Sequence, residues 1–197
     1  VCYALALLAD RRLFFGTAAV AVLLVFPPLL SFLNLAIPRY AVSFGASALN
    51  MALLGLLPLL LVSYARRRLS LSVPLRAAPV AFFGLLAWMV LLALPLSPVA
   101  LALAAAAAGG ALLYVYSLPD GQLPGPRETV RQVVAAGGFG DLFAVGAVLA
   151  VVYPVVGFPT DPATTGRVVN MYGHLLGFSL AFIGPYALLE AGVFDDG

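Results

Sequence analysis

Long apolar runs make up most of this chain, and its few charged residues fall between them. Cutting at charge, Pro and Gly leaves runs near Leu13 to Ile37, Gly45 to Tyr64, Ala78 to Leu94, Pro98 to Tyr116, Phe139 to Val156 and Val168 to Leu189. A hydrocarbon core of roughly 30 Å needs about 20 helical residues, so each run predicts a transmembrane helix. The opening stretch, VCYALALLADRR, is apolar only as far as Ala9. That is too short to cross a bilayer and reads as the tail of a span in an N-terminally truncated chain.

Composition agrees with the pattern. Of 197 residues, 63% are hydrophobic and 9% charged, and mean hydropathy is +1.10, values that belong to a polytopic membrane protein. The expected fold is all-α and multi-pass, forming a single transmembrane domain over residues 1 to 197. A net charge of +2 gives no reason to expect a nucleic-acid partner. One cysteine, Cys2, and one histidine, His174, exclude a disulfide framework and a Cys/His metal cluster, so neither metal nor cofactor is expected.

Every positive charge is Arg. If the opening stub exits into the cytoplasm, Arg11, Arg12, Arg66, Arg67, Arg68, Arg76, Arg127 and Arg131 lie inside, with Arg39 and Arg167 outside. This orientation places the starts of the second and last runs, which carry Ser47 and His174, on the same outer side. The one long hydrophilic connection, Ser117 to Gln132, has Pro-Asp-Gly and Pro-Gly-Pro turns and reads as a linker, with a short surface helix beginning at PRETVRQ.

Polar residues inside spans are costly and mark candidate chemistry: Ser47, Asn50, Asp141, Asn170, His174, Ser179 and Glu190. Gly45, Ser47 and Ala48 make a narrow helix mouth, with Gly55 two turns below on nearly the same face. Gly173, Gly177 and Ala181 form a stripe at spacing four, the pattern that lets membrane helices approach closely. Three spans separate the two helices, so they run parallel and hold Ser47 and His174 at similar depth. A base must come within about 2.6 to 3.2 Å of the hydroxyl it deprotonates, and close packing serves that need. Asn50 either lines a water cavity or bonds a neighbouring carbonyl, and Asn170 either orients a substrate or caps its helix. Asp141 suits a helix N-terminus, Glu190, Asp195 and Asp196 read as a solvated end, and Trp88, mid-span, reads as packed within protein.

GASALNMALLG resembles the signature around the nucleophile of the rhomboid intramembrane serine proteases, and YGHLLGFSLAF resembles that family's histidine-helix motif. YALALLADRRL is similar to the end of the family's second helix and the basic loop that follows. The resemblance implies a rhomboid-like bundle with two extra spans between the serine and histidine helices, in the plasma membrane of a prokaryote. It implies a serine-type endopeptidase in which Ser47 is the nucleophile and His174 the base, cutting single-span membrane proteins without a cofactor. Gly45, Ala48, Asn50, Met51, Asn170 and Gly173 are the candidate oxyanion or cavity-lining positions, and the small residues Gly55, Gly177 and Ala181 the expected helix-packing positions. Ala48 stands where the family has glycine, and Met51 where it often has an aromatic residue. The family's oxyanion-stabilising His and Asn would fall before Val1. Two other readings stand beside the protease: an inactive relative that binds transmembrane segments, and a transporter using His174 and Asp141.

Overall fold

The computed structural model describes residues 1–36, 47–94, 96–118, 123–157 and 171–194. The side chains of Leu30, Ser47, Met171, Tyr172 and residues 33–36 lie outside the description. Among the described residues the chain is helical throughout, with α1 Cys2–Leu8, α2 Arg12–Ala36, α3 Ser47–Arg68, α4 Ala78–Ala93, α5 Pro98–Ser117, α6 Pro126–Ala135, α7 Gly138–Gly157 and α8 Met171–Glu190. Five of these, α2, α3, α4, α5 and α7, are long and apolar enough to cross a membrane, α4 together with the 3-10 turn that leads into it. The chain is a helical, multi-pass membrane protein. The sixth expected span is α8, 20 residues long; it is not among the five found among the described residues, and the side chains of its first two residues lie outside them.

Local chemistry sets the helix ends. Asp10 adopts a left-handed φ of 57°, so Arg11 N–H reaches the Ala6 carbonyl at 2.7 Å and closes α1 with a Schellman turn. Ser97 caps α5 by accepting from Ala100 N–H at 3.2 Å, with Pro98 behind it where no helical donor is needed. The α3 helix runs past Tyr64, where the apolar pattern stops, because Arg66, Arg67 and Arg68 complement the negative end of its dipole.

At the centre stands α3, with 67% of its span buried inside the protein, against 17% for α5. The α8 helix lies along it, α1 and α7 pack on another side, α4 joins α3 to α8, and α5 packs chiefly on α4. Phe82 of α4 stacks on both Phe178 and Phe182 of α8, at 5.1 and 4.1 Å between ring centroids. Trp88, 37% exposed, donates to the Val151 carbonyl at 3.0 Å. Pro154 of α7 removes the helical donor that would reach the Ala150 carbonyl, and the indole bond falls on the next carbonyl along.

Among the described residues, the arginines gather at one end. Arg67 pairs with Asp10 at 2.7 Å, Arg68 donates to the Leu8 carbonyl at 2.7 Å, and Arg76 pairs with Glu190 at 3.4 Å. Tyr64, fully buried, donates to the Phe139 carbonyl at 2.9 Å, fixing the start of α7 at this end. The surface helix α6, which buries no residue, folds back on α7 where Gly140 meets the Val133 backbone.

Candidate functional site around His174

The α3 and α8 helices run parallel, since their C-terminal ends share the arginine-rich end through Arg66, Arg67 and Phe194. Two glycines set their separation. At Gly55 an added methyl would overlap the Phe178 carbonyl. At Gly177 it would sit 2.5 Å from the Ala48 carbonyl oxygen and 3.4 Å from Ala52 N. The two backbones are in contact there, as small residues at a membrane interface permit.

This contact fixes the register. Gly177 faces the hydrogen-bonded turn from Ala48 to Ala52. Stepping back three residues to His174, at about 1.5 Å of rise each, brings the histidine level with the first residue of α3, Ser47. His174 is 2% exposed, and its ring faces the Gly157 backbone. Because α7 runs antiparallel to α3, its last residue arrives where α8 begins. Gly157 also presses on Met51, so closely that a methyl there would overlap the Met51 Cε. Buried His174 and Met51 thus meet half-buried Gly157 at a junction of three helices.

The other expected positions scatter around it. Gly173 and Ala48 are buried, as are Gly177 and Ala181. Asn50 is exposed and lines a cavity of about 250 Å³ with Val1, Cys2, Leu53 and Tyr153. Asp141 sits in the first turn of α7, at the arginine-rich end and far along the bundle from His174. Gly45, Asn170 and the Ser47 side chain lie outside the described residues. Among the described residues, no group of three or more His, Cys, Asp and Glu could hold a metal ion.

Gly157 is the member of this junction that sequence reading passed over. It closes an apolar run before Phe158 and Pro159, where a glycine looks like simple punctuation; only the antiparallel return of α7 gives it a role.

Compared with known proteins, the chain matches no family model, no curated protein and no solved structure.

Proposed function

We propose that the chain is an intramembrane serine endopeptidase of rhomboid type, with Ser47 as nucleophile and His174 as base. One observation carries the reading. The Gly177 contact with Ala48 sets the buried, sole histidine level with the residue that opens α3.

In this reading His174 takes the Ser47 proton as the hydroxyl oxygen attacks a peptide carbonyl, and returns it to the departing amine. An acyl-enzyme ester remains, and water activated by His174 hydrolyses it, restoring the serine. The first N–H groups of α3 have no helical acceptor and lie beside the developing oxyanion. The Gly157 backbone facing the ring helps to orient the imidazole for both transfers. The substrates are single-span membrane proteins, and the residence is a prokaryotic plasma membrane with the arginine-rich end in the cytoplasm.

A fluorophosphonate probe applied to the membrane-embedded protein tests this. Labelling is expected in the unaltered chain and lost in Ser47→Ala and His174→Ala; equal labelling of Ser47→Ala removes the nucleophile.

A second reading draws on Ala48. Its carbonyl is already in contact with Gly177, and its methyl occupies ground a substrate strand would use. An inactive relative that holds transmembrane segments would leave the probe unreacted yet retain a crosslinkable single-span peptide.

A further inference from the structure

Phe194 stands between two cavities of opposite character. On one side, α2 and α8 leave a groove of about 340 Å³, lined by Phe14, Val22, Val25, Leu180 and Leu188, with Thr17 its single hydroxyl. Val25, Leu180 and Leu188 are between 40% and 55% exposed, so the groove opens to the bilayer. On the other side, Asp10, Arg11, Ser63, Arg66 and Arg67 line a polar cavity of about 460 Å³. Phe194 belongs to both walls.

The juxtaposition is held in place. Gly192, at a left-handed φ of 72°, ends α8 with a Schellman turn in which Val193 N–H reaches the Leu188 carbonyl at 3.0 Å. The chain then brings Phe194 back against α2, edge-on to Phe14 at 5.3 Å. Arg11 Nη1 donates to the Phe194 carbonyl at 2.9 Å.

The polar cavity is basic. Among the described residues, Arg11, Arg66 and Arg67 line it with one carboxylate, Asp10, which Arg67 holds, while Arg11 is engaged with the Phe194 carbonyl. Arg66 pairs with no carboxylate among the described residues. Asp195 and Asp196 follow in the sequence and lie outside the described residues. Basic pockets at the cytoplasmic ends of membrane helices attract anionic lipid headgroups.

We propose that these joined cavities bind one anionic glycerophospholipid of the cytoplasmic leaflet. Its phosphodiester sits at Arg66 and Arg67, and one acyl chain runs along the groove between α2 and α8. A lipid is the molecule of this environment that joins a negative head to a long apolar chain at the depth where the cavities meet. A zwitterionic lipid fills the groove equally but brings no net negative charge to Arg66. The site is independent of the hydrolase reading, since none of its lining residues belongs to the His174 junction.

Native mass spectrometry of the full chain tests it, with the protein equilibrated against equal amounts of phosphatidylglycerol and phosphatidylcholine of matched acyl chains. One retained phosphatidylglycerol is expected, and Arg66→Ala lowers its preference about fivefold, the worth of one basic residue near the membrane surface. A side chain at Gly184 meets nothing within 4 Å at its Cβ, so Gly184→Leu fits, fills the groove and abolishes retention of both lipids. Arg131→Ala, on α6, leaves retention unchanged. Equal retention of the two lipids by the unaltered chain refutes the charged site, and full retention by Gly184→Leu refutes the groove. Displacement by free glycerol 3-phosphate at equal concentration means a phosphate site without a lipid and overturns the proposal. So does a preference that arises only in Asp195→Asn/Asp196→Asn, because the chain's own tail then occupies the site.

Discussion

Gly55 of α3 rests directly on the backbone of Phe178 in α8, with no room for a methyl between them. The obstacle is a carbonyl in the middle of a helix, which cannot swing aside as a flexible side chain would. Gly55→Ala is therefore expected to destabilise the bundle by about 1 to 3 kcal/mol, the usual range for overpacking. Gly84→Ala, where nothing lies within 4 Å, is expected to stay within about 0.5 kcal/mol of the parent. Reversible unfolding of both variants in the same lipid–detergent mixture checks the contrast.

A second prediction concerns the junction at His174. Gly157→Ala drives a methyl into the end of the Met51 side chain, which is buried and has little room to swing aside, so part of the strain falls on the backbone that faces the histidine. Under the hydrolase reading, an ångström of displacement costs up to about 100-fold in rate, read as slower fluorophosphonate labelling. Met51→Ala makes space, so the double variant Met51→Ala/Gly157→Ala is expected to recover much of the loss, with a coupling of about 0.5 to 3 kcal/mol between the two sites. Additive losses would mean that Met51 and Gly157 do not press on each other.

Trp88 supplies a third. Replacing it with Phe keeps an aromatic ring but deletes the donor to Val151 O. Hydrogen bonds inside membrane proteins average about 0.6 kcal/mol, so Trp88→Phe is expected to cost about that much. Because Pro154 frees the Ala150 carbonyl and not that of Val151, adding Pro154→Ala is expected to leave this cost unchanged.

The fourth concerns pH and the surface helix α6. A hydrogen bond from Gln132, and then one from Arg131, hold the Glu128 carboxyl below the ordinary carboxylate range. A carboxylate with a depressed pKa stabilises the folded state above its unfolded pKa and loses that contribution as pH falls through the folded value. The α6 helix is thus expected to loosen below the ordinary carboxylate range, seen as faster amide exchange over residues 126 to 135. Glu128→Gln should flatten that dependence, and an unchanged profile would assign the effect to another group.

A fifth tests orientation. With Cys2→Ser as a cysteine-free background, an impermeant maleimide added outside whole cells is expected to label Leu96→Cys, 80% exposed beyond the end of α4, and to spare Ser70→Cys at the arginine-rich end. The reverse pattern would invert the topology drawn from the arginines.

The helices were legible from the apolar runs to within a few residues, because lipid demands long, uninterrupted hydrogen-bonded segments and leaves few alternatives. The α3 overrun to Arg68 was not, since the arginines look like the end of an apolar run yet suit a helix C-terminus. At the site, the glycine stripe gave Gly177 a face but not a partner; contact with Ala48 depends on the three-dimensional path. Gly157 was illegible for the same reason, and so was Phe194, whose placement rests on the Gly192 turn and a hydrogen bond from a residue far back in the sequence.

That last bond joins positions 183 residues apart. It fastens the outgoing end of the polypeptide to the turn between α1 and α2, as a clasp closes a bracelet. Tension applied to the chain beyond Phe194 meets this clasp before it reaches α8. In a single-molecule pulling experiment the first rupture is therefore a small one at the arginine-rich end, ahead of the extraction of α8, and Arg11→Ala, which removes the donor, shortens the wait for it.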